Sequence, residues 1–243
     1  MAKVVGIIGG MGPLATVDLM RKIVLRTPAE RDQDHLHVIV DSYPQIPDRV
    51  AAILQGGEDP TPALIESARR LVAAGAEVLA MACNTAHHFL PALEDAVPVP
   101  FVHMPREVAR ALQEKGVRRA WLMASTATVA TGLYQAPLAA SGIATLVPPD
   151  ELQQAVQEGI RAVKRGELAR GRDLFASVIH HAAQHGAEAV IAGCTEIPAV
   201  IRPEDEPLVV DPTDILAEAI VREAQVESAQ SGALKEVIHG IRR

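Results

Sequence analysis

Aromatic side chains make up only 2% of this 243-residue chain. A flavin or nucleobase site built on aromatic stacking is therefore poorly supplied. Cysteine is scarcer still, with two residues. No secretory signal precedes the first strand-like run, KVVGIIGG, so two cysteines argue for reduced thiols in a cytoplasm rather than a disulfide framework. Positive charge is also short. The formal net charge is −7, only five residues are lysine, and no basic stripe is present, which argues against a nucleic-acid partner. No apolar run reaches the roughly 18 residues that a membrane span needs. What remains, 49% hydrophobic and 22% charged residues, is the composition of a soluble globular protein that can bury one large core or two smaller ones.

The two cysteines sit in matching phrases. GAEVLAMACNTAHH holds Cys83 and GAEAVIAGCTEIP holds Cys194; Gly75, Ala76, Glu77 and Cys83 recur as Gly186, Ala187, Glu188 and Cys194 at an offset of 111. In each copy Gly-Ala-Glu leads into a short apolar run, then the thiol, then a small polar residue. A duplicated fold with one thiol per copy, each ending a buried strand, sets two thiols facing each other across a cleft. That arrangement suits chemistry in which a proton leaves one face of a carbon and another arrives on the opposite face.

Near-continuous apolar runs such as VVGII, HVIV and AVIA mark strands covered on both faces, hence parallel sheets between helices. Strands are predicted near 3–9, 36–41, 77–82, 99–102, 119–124, 143–147, 188–192 and 208–210. Helices are predicted over 14–26, 61–74, 84–95, 105–115, 127–141, 150–164, 167–185 and 213–225. The alternation specifies an α/β fold of two similar domains, each a mostly parallel sheet flanked by helices, related by internal pseudo-symmetry. The repeat divides the chain into a first domain of 1–103 plus about 208–243 and a second of 104–207, with a terminal helix or tail from about 226. Ligands of open α/β sheets bind beyond the carboxyl ends of the strands. Gly9–Gly12, Asp41–Arg49, Cys83–Thr85, Ser125–Thr126 and Cys194–Glu196 all fall there, which puts the active site in the cleft between the domains.

Each element has a simpler reading beside its chemical one. A free cysteine is commonly a small buried hydrophobe; equivalence across a repeat favours catalysis. Each thiol precedes residues that can open a helix, whose N-terminus lowers a thiol pKa from about 8.5. Asn84-Thr85 and Thr195-Glu196 are suited to helix capping and equally to holding a substrate carboxylate or ammonium. Gly10-x-Gly12-x-x-Ala15 matches the dinucleotide fingerprint, with Asp41 as a distant acidic partner, yet tight strand-to-helix turns need glycine for steric reasons alone. The stiff loop DSYPQIPDRV ends in Arg49, either a solvated arginine or a bidentate carboxylate clamp. Lys164, before Gly166, reads most simply as a favourable charge at a helix C-terminus. The pairs Cys83/His87 and His181/His185 have helical spacing for two metal ligands, but no third or fourth ligand accompanies them. No metal is expected, and solvated helix faces are the simpler account of these histidines.

Four motifs in order, GIIGGMGPLAT, DSYPQIPDR, MACNTAHH and AGCTEIP, together resemble the aspartate/glutamate racemase family, above all its aspartate racemase branch, over nearly the whole chain. The resemblance implies a homodimeric isomerase that needs no pyridoxal phosphate, metal or nucleotide and interconverts L- and D-aspartate, or glutamate. It implies Cys83 and Cys194 as the two acid/bases, the second-half cysteine serving the L-enantiomer. It assigns the α-carboxylate to Asn84, Thr85, Ser125 and Thr126, with Met11 and Gly12 nearby, and the side-chain carboxylate to Arg49 and Lys164. Thr195 and Glu196 complete the substrate-binding set. The rival readings are a maleate isomerase or decarboxylase-like enzyme on the same cysteine frame, a dinucleotide oxidoreductase, and a non-catalytic binder of acidic amino acids.

Overall fold

The computed structural model describes residues 2–225. Two parallel sheets repeat one strand order. In the first, β1 (Val5–Gly9) lies between β2 (Val38–Ser42) and β3 (Val78–Met81), and Phe101 bridges to Leu79 on the far edge of β3. In the second, β4 (Arg119–Ala124) lies between β5 (Ala144–Leu146) and β6 (Ala189–Gly193), and β7 (Val209–Val210) pairs with the far edge of β6. The expected α/β fold of two similar halves is the one adopted. The strand predicted at 208–210 is β7 and belongs to the second sheet. The chain therefore returns to the first half with the helix over 212–225, not with that strand. The terminal helix or tail expected from about 226 lies outside the described residues.

The repeated Gly-Ala-Glu has a local structural cause in both copies. α3 (Thr61–Ala73) and α9 (Leu168–Gln184) each end in a glycine of positive φ, Gly75 at 101° and Gly186 at 72°. The N–H of the next residue reaches back one turn, Ala76 to Leu71 O and Ala187 to Ala182 O, both at 3.0 Å. This is the Schellman closure that glycine permits. The glutamate then accepts the backbone N–H just ahead of its half's first strand. Glu77 takes Val4 N at 2.8 Å, and Glu188 takes Arg118 N at 2.6 Å. One tripeptide thus stops a helix, turns the chain and clips the next strand to its neighbour.

The helices between the strands are α1 (Pro13–Arg26), α2 (Arg49–Gln55), α3, α4 (Leu90–Glu94), α5 (Met104–Glu114), α6 (Thr126–Ala130), α7 (Gln135–Ala140), α8 (Asp150–Lys164) and α9. α2 was not expected, because Pro44 and Pro47 read as loop. Asp48 caps it by accepting Ala51 N at 2.7 Å, and left-handed Gly56 closes it. The single helix expected over 127–141 is split by a turn at Gly132, whose φ is 69°. The one expected over 84–95 begins as a 3-10 segment, Thr85–Phe89, and restarts as α4 with Pro91 in its first turn.

One core joins the halves. Ile7 and Ala80 of the first sheet and Leu122 and Ile191 of the second pack with Leu216 and Ile220 of the helix over 212–225. Lys22 of α1 is buried between Asp18 and Asp211, and Arg26 pairs with Asp214, so α1 is tied to the segment after β7. No described helix is long and apolar enough to cross a membrane.

Candidate active site

β3 and β6 are equivalent strands, and their carboxyl ends open on one cavity of about 360 Å3 between the halves. Cys83 and Cys194 both line it, with Met11, Arg49, Asn84, Thr85, Ser125, Lys164, Thr195 and Glu196. Two of the expected site residues are not among its walls. Gly12 caps α1, its carbonyl taking Thr16 N at 3.3 Å. Thr126 donates both its N–H and its Oγ1 to Gln157 Oε1 at 3.2 Å, so it fixes Gln157, which does line the cavity. A larger groove of about 790 Å3 runs between α1 and the 198–204 turns. It holds no thiol, and the smaller cavity is where the chemistry is concentrated.

The two thiols sit in different surroundings. Cys194 is followed by turns over 195–200 rather than by a helix, so no helix N-terminus lowers its pKa as expected. Its Sγ donates to Glu196 Oε2 at 2.9 Å, and Lys164 Nζ lies 3.7 Å from Glu196 Oε1. Burial, then the Glu196 charge and hydrogen bond, push the Cys194 thiol well up, with Lys164 opposing. Burial also works against the charge of Lys164, but Glu196 and the thiols hold its pKa above the ordinary value. Cys83 is 7% exposed and runs into the 3-10 segment. The position two after the thiol is thus Thr85 in the first half and Glu196 in the second.

His87 is not on a solvated face. It is buried, its Nε2 accepts Met104 N at 3.2 Å, and its Nδ1–H therefore donates to the Cys83 carbonyl at 2.8 Å. Burial and neighbouring His103 depress its pKa to about 4, so it is a neutral clip between the Cys83 loop and α5. His88 is exposed, and His181 and His185 stack at 3.9 Å on α9 with Trp121 against His181.

Hydrogen-bond donors gather around the thiols. Thr85 Oγ1 lies 3.2 Å from Ser125 Oγ and 2.8 Å from Thr128 Oγ1, and Ser125 and Thr128 are 3.0 Å apart. This triangle of hydroxyls spans the two halves. Asn84 accepts at Oδ1 from the Tyr134 hydroxyl, while its buried Nδ2 has no protein partner. Arg49 opens α2 and is anchored by Nη1 to the carbonyls of Ile46 and Pro47 at 3.1 and 3.0 Å, its buried Nε unpaired. Gln157, Ile160 and Arg161 also line the cavity. With Lys164 they stand at i, i+3, i+4 and i+7 on α8, so counting back from Lys164 by helical period finds them. Tyr134 and His87, which orient Asn84 and the Cys83 loop, carry no such signal.

The glycine loop answers to packing. A Cβ on Gly9 would lie 2.4 Å from Thr16 Cγ2, and one on Gly10, at φ +89°, would lie 2.5 Å from the Tyr43 backbone. Asp41 pairs with Arg70 at 2.8 Å instead of facing that loop. The features that mimic a dinucleotide fingerprint are therefore accounted for by close backbone approach.

Comparison with known proteins identifies the family. The model for the Asp/Glu/Hydantoin racemase family matches residues 8–220. The chain is 27% identical over 225 residues to the broad specificity amino-acid racemase RacX of Bacillus subtilis (strain 168), covering 89% of this chain and 96% of the relative. Aspartate racemase from Picrophilus torridus superposes with a TM-score of 0.84 at 33% identity, over 91% of this chain and 94% of that one. Glutamate racemase from Francisella tularensis, in complex with D-glutamate, shares the fold with a TM-score of 0.65 at 15% identity, over 94% and 82% of the two chains. A cavity that brings together the thiols of a duplicated α/β fold thus goes with a family match over most of the length, and the chain belongs to the Asp/Glu/Hydantoin racemase family, as an isomerase of the amino-acid racemase type.

Proposed function

We propose that the protein is a cofactor-independent racemase that interconverts L- and D-aspartate, and glutamate as a second substrate, by proton transfer between Cys83 and Cys194. The observation that carries this reading is that the two thiols, at the ends of equivalent strands, line one cavity with unpaired donors. The substrate α-carboxylate takes Asn84 Nδ2 and the hydroxyls of Thr85 and Ser125. Arg49 and Lys164 take the side-chain carboxylate, the pre-anchored guanidinium offering a paired-donor edge.

One thiolate and one thiol are present at a time. With Cys194 held as thiol, Cys83 starts as the base. It removes the α-proton from one face, electron density passes into the carboxylate as an enolate-like dianion, and Cys194 delivers its proton to the other face. The product leaves with Cys83 protonated and Cys194 as thiolate, and the reverse turn restores both. The family resemblance assigns Cys194 to the L-enantiomer, so the thiol form of Cys194 is set to complete conversion of D to L. An α-proton beside a carboxylate is a very weak acid. The dianion therefore needs fixed donors and cations in a site closed to water, roles that fall to Asn84, the hydroxyls, Arg49 and Lys164.

A thiol pair kept reduced fits a cytoplasmic enzyme. A homodimer would cover Leu14, Val17 and Leu25, which stand exposed on α1, and light scattering reads that state directly. The test of the activity is incubation with L-aspartate in D2O without added cofactor, followed by NMR at the α-position and chiral chromatography. Deuterium uptake with D-aspartate formation is the expected result. No exchange with aspartate, glutamate or other amino acids would overturn the reading.

A further inference from the structure

Tyr134 belongs to the second half, in the turn between α6 and α7, and its side chain is fully buried. Its hydroxyl donates to Oδ1 of Asn84, a residue of the first half 50 positions away. Among the described residues this is the one hydrogen bond of that hydroxyl. A phenol proton with a single acceptor points to it, so the amide oxygen faces Tyr134 and Nδ2 faces away. Asn84 is 3% exposed and walls the cavity, and Nδ2 has no protein partner. Buried donors are rarely left unpaired in native proteins, and one beside a ligand cavity is a donor held for the ligand. Burial pushes the Tyr134 hydroxyl well above its ordinary pKa, so it remains a donor across the working range.

We propose that Tyr134 is a positioning residue: it locks the Asn84 amide so that N–H, and not C=O, meets the substrate α-carboxylate, and so sets a preference for α-carboxylate over α-carboxamide ligands. Without the phenol the amide turns freely and offers its oxygen to the carboxylate part of the time, which repels it. A carboxamide can donate or accept and is indifferent to that turn. The proposal rests on the racemase reading for the identity of the ligand, but not for the lock itself.

Composition supplies the means of testing it. Asn84 is the only asparagine of the chain and Tyr134 one of two tyrosines. Labelling with ¹⁵N-asparagine therefore gives a single side-chain NH2 pair in the whole protein. In the wild type, succinate, a dicarboxylate with no α-proton to exchange, should shift that pair. In Tyr134→Phe the pair should move before ligand is added. KM for L-aspartate should rise about tenfold, the loss of one hydrogen bond to a charged group. The effect on its α-carboxamide analogue, isoasparagine, should be several-fold smaller. Equal losses for the two ligands, or an NH2 pair unmoved by the substitution, would overturn the proposal. If Tyr134→Phe does not fold, replacing both tyrosines by 3-fluorotyrosine changes the donor strength at almost constant volume, and an unresponsive Asn84 pair again overturns it. A wild type that racemises nothing while its NH2 pair answers to succinate would sink the racemase reading and leave the lock standing.

Discussion

Glu196 accepts the Cys194 thiol proton in a 2.9 Å hydrogen bond and stands 3.7 Å from the Lys164 ammonium. Desolvation of the half-buried thiol and then the charge and hydrogen bond of Glu196 disfavour the thiolate, and together they push the Cys194 pKa well up. Mirror-image substrates have equal free energies, so kcat/KM is the same in both directions at any pH. Glu196 therefore acts on one shared, bell-shaped profile whose alkaline limb is loss of the last thiol proton. Glu196→Gln keeps the shape and removes the charge. The alkaline limb should move to lower pH by about one unit or more in both directions. A limb that stays put would detach Glu196 from the titration of Cys194.

Removing either thiol removes one face of the reaction. Cys83→Ala and Cys194→Ala should each lower racemisation by about a thousandfold or more, within the range of general acid–base contributions, while circular dichroism stays native. Near-normal turnover by either variant would end the two-base scheme.

Arg49 lines the cavity, is held by the carbonyls of Ile46 and Pro47, and has a buried Nε without a partner. Arg49→Ala should raise KM for aspartate by about ten- to a hundredfold, as for a lost charge-assisted pair, with a much smaller change for alanine. The ratio of the two kcat/KM values, measured on one preparation, decides the matter; an unchanged ratio removes Arg49 from the side-chain seat.

His87 makes stability depend on pH. Its pKa is lowered from 6.5 to about 4, so the folded protein binds fewer protons than the unfolded chain between those values. Its contribution is complete above about 6.5 and is lost as pH falls toward 4, in total on the order of 3 kcal/mol. Urea midpoints measured across that window should fall with pH in the wild type and fall less steeply in His87→Gln. His103, lowered to about 4 by burial and by Arg106, adds a residual slope of the same sign in both proteins.

The sheets, the thiols and most of the cavity wall were legible because they are written locally. A helix-closing glycine, a strand-clipping glutamate and a cysteine at a strand end recur within nine residues in each half. Arg49 and Lys164 could be placed only by likeness to a family, since a charge at a helix end has a sufficient local reason. Long-range contact was silent. Nothing near Tyr134 in the chain points to Asn84, and nothing near His87 points to Met104. Thr195-Glu196 has the composition of a helix start, yet Cys194 O accepts Ile197 N in a tight turn before Pro198, and Glu196 lies beside the thiol. β7 was assigned to the wrong sheet because two residues carry too little pattern to name a neighbour.

The repeat is broken where it touches the chemistry. Two residues past the thiol, the first half has Thr85, tied into the hydroxyl triangle, and the second has Glu196, bound to the thiol itself. Matching residues in both places would remove this one source of inequality between the two thiols. This one gives the two faces of the α-carbon unequal surroundings. Thermodynamics pins the quotient of kcat and KM, but each of them alone is free to differ between enantiomers. Selection can therefore set which of the two saturates first, and so match the enzyme to a cell rich in one hand and poor in the other, without touching the catalytic pair.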